Sequence, residues 1–203
     1  MAMGVNAWDQ RYGSDTYYYG TEPNEFLREH VAAIRRDGEV LCLAEGEGRN
    51  AVFLAEQGYA VVAVDQSHAG LKKTQQLAAS KGVRVTTVHA DLADYPIDPA
   101  RWDSIVSIWC HLPRQLRAQV HRQAVDGLKH NGVFVLEAYT PAQLKYRTGG
   151  PSTADLMPTL AQLLQELDGL DFVHAMERER VVEEGKAHNG LSAVVQVVAY
   201  KRP

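Results

Sequence analysis

Short apolar runs alternate along the chain with segments whose apolar residues recur every three or four positions, and this alternation predicts the element order. Val40–Ala44, Tyr59–Val64, Val83–His89, Ser104–Trp109 and Val133–Ala138 read as buried strands. The intervening stretches read as helices. One opens with Ala51, Val52, Leu54 and Ala55, runs to Gln57 and stops at Gly58. A second is capped by Ser67, carries Leu71, Leu77 and Ala78, and ends at Gly82. A third spans Arg114 to Leu128 and is closed by Asn131-Gly132. Ahead of the first strand, Phe26, Leu27, Val31 and Ile34 give Glu25–Ile34 a helical face, with Thr21 or Asn24 as its start. Beyond the fifth strand a long loop, Tyr139–Pro151, leads into a predicted helix over Thr153–Leu167. Phe172–Val182 and Leu191–Tyr200 then read as two strands whose connection, 183–190, is too short for a crossover helix, so they pair antiparallel.

Five strand–helix alternations finished by a hairpin predict an α/β single-domain, Rossmann-like fold. Its sheet is mostly parallel and seven-stranded, with a C-terminal antiparallel hairpin and helices on both faces. The expected organisation is one domain over 1–203. Residues 1–38 form an N-terminal cover and helix, and 39–203 form the core.

The first strand and its turn carry the strongest candidate chemistry. Gly46 and Gly48 follow Val40–Ala44 directly and permit a tight turn with close backbone approach to a ligand, and a helix starts at once. Gly46, Gly48 and Ala51 satisfy a loose dinucleotide pattern. Yet Glu45 and Glu47 flank Gly46, and two carboxylates repel a diphosphate. S-adenosylmethionine carries a sulfonium and an ammonium and no phosphate. It suits an acidic loop, and its carboxylate suits the helix N-terminus. Asp65 ends the second strand, where a carboxylate can accept both ribose hydroxyls. Asp91 and Leu92 follow the third strand, placed to meet an adenine edge. His111 follows the fourth, where a reacting group would stand, and is the candidate base.

Charge and composition narrow the partners. The formal net charge is -4 with no basic run, which argues against a large nucleic-acid or membrane-surface footprint. Met1–Trp8 has no apolar core for a signal peptide, and no later run is long enough to span a bilayer. Cys42 and Cys110 lie in apolar strand contexts and read as reduced packing residues of a cytoplasmic protein. No metal site is expected. Trp8–Asn24 is crowded with aromatics, including Tyr12, Tyr17, Tyr18 and Tyr19, and reads as an edge cover or a lid. The 139–151 loop, with Gly149-Gly150-Pro151 as its turn and Lys145 and Arg147 as its charges, reads as a second lid.

The chain resembles the class I S-adenosylmethionine-dependent methyltransferases, in the branch related to the tellurite-resistance and, more distantly, the thiopurine methyltransferases. Leu43-Ala44-Glu45-Gly46-Glu47-Gly48-Arg49-Asn50 and Val64-Asp65-Gln66-Ser67 carry the likeness. Tyr19-Gly20-Thr21-Glu22-Pro23-Asn24, Thr148-Gly149-Gly150-Pro151 and Ser192-Ala193-Val194-Val195-Gln196 extend it over nearly the whole chain. Two positions depart from the superfamily loop, which usually has an acid where Cys42 stands and glycine where Ala44 stands. The resemblance implies that the cofactor's methionine part lies over Ala44, Glu45 and Gly46. Its ribose would meet Asp65, and its adenine would lie near Gln66, Asp91 and Leu92. The departure at Cys42 leaves open which side chain meets the ammonium; Glu45, helped by backbone carbonyls near Ile108, is the candidate, and Glu47 and Asn50 complete the cofactor set. Tyr12, Tyr19, Asn24, Trp109, Arg147 and His188 are the implied substrate and lid residues, with His188 in the hairpin loop. The expected activity is methyl transfer to a small molecule, such as a thiol or a tellurium or selenium oxyanion. No Asn/Asp-Pro-Pro-Tyr motif follows the fourth strand, where amino-group methyltransferases of nucleic acids carry theirs. A non-catalytic cofactor-binding module and a nicotinamide-dependent oxidoreductase are the alternatives.

Overall fold

The computed structural model describes residues 5–202. The signal-peptide question at Met1–Gly4 therefore lies outside the described residues. Seven strands form one sheet in the order β3-β2-β1-β4-β5-β7-β6. They are β1 (Glu39–Leu43), β2 (Ala60–Asp65), β3 (Thr86–His89), β4 (Trp102–Ile108), β5 (Leu128–Tyr139), β6 (Leu170–Glu184) and β7 (His188–Lys201). The first five are parallel, and β7 runs antiparallel to both β5 and β6.

The apolar runs form strands because both faces of the sheet are covered. Alternate residues of β1 go to opposite sides. Val40 and Cys42 pack with Phe26 and Leu27 of α2 (Glu25–His30) and with Ala51 and Leu54 of α3 (Arg49–Glu56). Leu41 and Leu43 pack with Val120 and Ala124 of α5 (Arg114–Gly127) and with Leu163 of α6 (Leu160–Glu166). α4 (His68–Ser80) follows β2, and α1 (Val5–Tyr12) lies against α4. Cys42 and Cys110 are buried and unbridged. No described helix is long and apolar enough to cross a membrane.

Several features differ from the sequence reading, among them β5, which begins at Leu128 and not at Val133. The helix expected over Thr153–Leu167 is only Leu160–Glu166, preceded by a single 3-10 turn at Ala154–Leu156. Pro158 interrupts it, since proline disfavours helix at the residue before it, and Thr159 then restarts the chain with a capping box to Gln162. The hairpin strands run two and three residues further toward their turn than expected, leaving only residues 185–187 between them. His188 is thus the first residue of β7 and pairs with Glu184 across the turn, not a loop residue. The 139–151 segment is also not a free lid. Its first part is a 3-10 turn, Pro141–Lys145, and Gln143 fastens it to Thr148, Gly149 and Ala193.

Candidate functional site

A cavity of about 710 Å³ opens at the carboxyl ends of β1, β2, β3 and β4, where the strand order reverses between β1 and β4. Ala44, Glu45, Glu47 and Asn50 line it from the glycine loop, Asp65 and Gln66 from β2, and Asp91 and Leu92 from β3. Ile108, Trp109 and His111 reach it from β4, His188 from β7, and Trp8, Arg11, Tyr12, Tyr18 and Tyr19 from the cover. Arg49 and the segment Gly149, Gly150, Pro151 and Ser152 also line it.

The turn after β1 is built by left-handed backbone. Ala44 has φ 50°, Gly46 63° and Gly48 91°. Ala44 occupies the place where the resembled superfamily has glycine, and its positive φ explains that preference. At Gly48 a Cβ would come within 2.6 Å of Thr74, so this glycine is needed for packing as well. Gly46 does not face the cavity. A Cβ there would meet the Tyr12 hydroxyl at 2.8 Å, and its N–H donates to Asp65 Oδ2 at 2.8 Å.

The acidic loop is not the open negative surface that its sequence suggested. Glu47 Oε1 pairs with Lys73 at 2.8 Å, and its Oε2 accepts the N–H groups of Tyr18 and Tyr19 at 2.7 and 3.2 Å. It is a neutralised strut that holds the cover to the loop. Glu45 turns back on its own helix and accepts the N–H groups of Asn50 and Ala51 at 2.9 and 2.8 Å. The Asn50 and Ala51 amides in the first turn of α3 are therefore already capped by a carboxylate and are not open to a cofactor carboxylate. Burial pushes the Glu45 carboxyl up to about 7, against the opposing pull of those two amides and of Arg49. Asp65 is also raised by burial, which its bonds from Ser67 and Gly46 resist. Each of its oxygens accepts one backbone N–H, leaving further lone pairs for ribose hydroxyls. Asn50 is buried, and its side-chain oxygen accepts the Asn24 N–H. Asp91 is exposed at the rim and bonds the Ala93 N–H.

The far end of the cavity is aromatic. Trp109 stacks on Tyr139 at 4.4 Å between ring centroids, Tyr139 stacks on His111 at 5.6 Å, and His188 stands edge-on to Trp109 at 4.9 Å. Tyr19 closes on His188 at 4.8 Å. His111 Nδ1 meets the Leu156 carbonyl at 3.2 Å, while its Nε2 is buried with no partner among the described residues. Burial drives its pKa down to about 3, so the ring is neutral at ordinary pH and a weak proton acceptor. That weakens the base role given to it from sequence.

Beneath these rings lies an ion network that the sequence reading missed. Glu184 accepts from Arg49 at 2.5 Å, Trp109 Nε1 at 2.6 Å and Asn24 Nδ2 at 2.8 Å. Burial raises the Glu184 carboxyl, but His188, Arg49 and Trp109 together outweigh it and hold the group well below the usual carboxylate range. Glu137 pairs with Arg180 at 2.7 Å and also bonds Asn24 and Gln196. Asn24 is thus a buried tie between two carboxylates and the cap of α2, not a substrate or lid residue. Arg147 is exposed and does not line the cavity, because its left-handed backbone (φ 56°) sits in a turn fastened by Gln143. One signal for the network was visible: a lone acid, Glu137, inside the apolar run 133–138 requires a buried partner. Among the described residues no three His, Cys, Asp or Glu side chains gather as a metal site.

Comparison with known proteins matches this architecture. Residues 40–132 fit the Methyltransf_25 family model, a methyltransferase domain. The chain superposes on the structure reported under "Conversion of a Disulfide Bond into a Thioacetal Group during Echinomycin Biosynthesis" with a TM-score of 0.77. The two are 16% identical, over 98% of this chain and 91% of that one. This is the class I methyltransferase fold. TehB from Haemophilus influenzae shares the methyltransferase fold with a TM-score of 0.72 and 15% identity, over 98% of this chain and 67% of its own. In sequence, the chain is 24% identical over 155 residues to an uncharacterized methyltransferase, YbaJ, of Bacillus subtilis (strain 168). That match covers 68% of this chain and spans only 61% of YbaJ. The family-model match runs from β1 through α5 to the start of β5, which includes the glycine loop, Asp65, Asp91 and His111. The hairpin with Glu184 and His188 lies outside it.

Proposed function

We propose that the protein is an S-adenosylmethionine-dependent methyltransferase of a small-molecule acceptor with a soft nucleophile, a thiol or a selenium or tellurium oxyanion. The observation that carries the cofactor is Glu45 capping α3. A dinucleotide needs those first-turn amides for its pyrophosphate, and here Glu45 holds those of Asn50 and Ala51. A sulfonium nucleoside does not need them. Its ribose suits Asp65, its adenine the rim at Gln66, Asp91 and Leu92, and its ammonium the Glu45 carboxylate. The cavity volume also lies in the range of small-molecule sites.

When bound, the cofactor supplies an activated methyl carbon, so the chain's task is placement and exclusion of water. Trp109, His111 and His188 enclose the acceptor's end of the cavity, and Tyr12, Tyr18 and Tyr19 roof it. The acceptor class is argued from the setting of His111. One ring nitrogen meets the Leu156 carbonyl, the other is buried, and burial lowers its pKa, so it is poorly placed to take a proton from an alcohol or amine, whereas an ionised or intrinsically reactive chalcogen needs no such help. The sulfur chemistry named for the echinomycin structure accords with this choice. Placement in the tellurite-resistance branch, a cytoplasmic location and the absence of nucleic-acid or membrane partners belong to the same proposal. The buried free cysteines and the net charge of -4 support them.

Titration calorimetry tests the cofactor. S-adenosylmethionine should bind the wild type, and Asp65→Ala should weaken it by roughly 10–100-fold. Unchanged affinity in that variant, or a fluorescence response to reduced nicotinamide cofactor instead, overturns the assignment. A labelled-methyl panel of thiols, selenite, tellurite and small amines tests the acceptor. Turnover of amines alone refutes the soft-nucleophile reading. Tight cofactor binding with no turnover on the panel favours the non-catalytic module.

A further inference from the structure

Glu45 settles one half of the cofactor's amino-acid end and leaves the other without a partner. The ammonium has a carboxylate to meet, but the cofactor's own carboxylate cannot use the α3 amides that Glu45 already holds. It needs a cation. Two arginines line the cavity, Arg11 and Arg49. Arg49 is committed to Glu184 at 2.5 Å. Arg11 makes no ion pair among the described residues, and its one side-chain hydrogen bond there goes to the Tyr19 hydroxyl at 3.0 Å. Its guanidinium carbon lies over the rings of Trp8 and Tyr18, 4.9 and 5.1 Å from their centroids. Ring contact fixes the plane of the guanidinium and leaves most of its five donors unused.

Its position is also right. The adjacent Tyr12 lies over Gly46, and the Tyr18 and Tyr19 amides are bonded to Glu47. Arg11 therefore lines the cavity from the same cover whose Tyr12, Tyr18 and Tyr19 sit on the 45–48 turn, where the methionine part is expected. We propose that Arg11 clamps the carboxylate of S-adenosylmethionine from the N-terminal cover, so that Arg11 and Glu45 together recognise the zwitterion and the cover closes on the cofactor. The inference rests on the cofactor reading above and adds the group that reads the cofactor's negative end. A guanidinium suits the task because its planar fork matches a carboxylate with two parallel hydrogen bonds.

Calorimetry on the whole chain with two ligands tests it: S-adenosylmethionine, and its decarboxylated analogue, which keeps the sulfonium, ammonium and nucleoside. The wild type should bind the analogue roughly 10–100-fold more weakly. Arg11→Met should lose the same factor on S-adenosylmethionine and nothing on the analogue, and Arg11→Lys should recover part of it. Arg11→Gln keeps a donor for the Tyr19 hydroxyl and should behave as the Met variant does, which separates the clamp from packing of the cover. The proposal is overturned if Arg11→Met weakens both ligands equally or weakens neither. It is equally overturned if that variant leaves cofactor affinity intact while raising the acceptor's KM. If the wild type binds neither ligand, the cofactor reading fails and this inference with it.

Discussion

Glu45 shows how a single side chain can serve structure and ligand at once. One oxygen caps α3 and the group lines the cavity, with its pKa near 7. A carboxyl raised on folding makes stability fall with pH. Below about 4.5 both folded and unfolded chains are protonated. Between about 4.5 and 7 the unfolded chain ionises while the folded one keeps its proton, so the folded state loses ground until the folded group also titrates. The full effect is on the order of 3 kcal/mol. Urea denaturation of the cofactor-free protein at pH 5 and pH 7.5 should show this loss, and Glu45→Gln, which still caps the helix, should remove it. An ammonium placed beside Glu45 reverses the shift and expels the proton. Cofactor binding at pH 7 should then release up to about half a proton in the wild type and none in Glu45→Gln. Calorimetry in buffers of different ionisation enthalpy measures this directly. Equal proton release by both proteins would remove Glu45 from the ammonium.

Asn24 shows the same economy in a connection between elements. Its oxygen caps α2 through the Leu27 N–H, and its amide spans Glu137 of β5 and Glu184 of β6. Asn24→Ala removes a cap and strips a donor from two buried carboxylates, a loss of about 2–4 kcal/mol. Asn24→Asp keeps the cap but brings a third carboxyl against those two. It should therefore be the worse variant at neutral pH and gain on the alanine variant as pH falls, which denaturation at two pH values will show. A start signal at Asn24 was readable in the sequence; its partners, 113 and 160 residues away, were not. β1, β2, β4 and the second half of β5 were legible because burial on both faces makes them largely apolar runs, whereas β3, a half-exposed edge strand, shows only in outline. β6 was read as Phe172–Val182, two residues short at each end, and the partners of its charges were not legible: Arg180 meets Glu137 on β5 and Glu184 meets Arg49 on α3. Asp65 was legible as a strand-end acid of a glycine-loop sheet. The Glu47–Lys73 pair was not, since nothing local ties a loop residue to the middle of a helix. Reading the loop by its formal charge therefore overstated its negative potential.

Across the whole molecule, the cavity is closed by segments from opposite ends of the chain. The cover and the hairpin turn meet where the Lys186 N–H bonds the Tyr18 carbonyl at 2.9 Å and Tyr19 packs on His188. The contact is tight at Gly185, where a Cβ would fall 2.5 Å from the backbone of Tyr18 and Tyr19. Gly185 also has φ 65°, so a side chain there is strained twice over. Gly58 provides the control. Its φ is 93°, yet nothing lies within 4 Å of a Cβ built there. Gly58→Ala should lose about 1–2 kcal/mol from the left-handed backbone alone and leave cofactor affinity unchanged. Gly185→Ala should lose more, because backbone at that distance has to move, and the cover is what moves. Since Arg11, Tyr12 and Tyr19 all reach the cavity from that cover, cofactor affinity should fall with it, by several-fold or more. Melting curves and calorimetry on the two variants measure both quantities. A Gly185→Ala protein that loses stability but binds cofactor as the wild type does would show that the hairpin supports the cover without setting its position over the cavity.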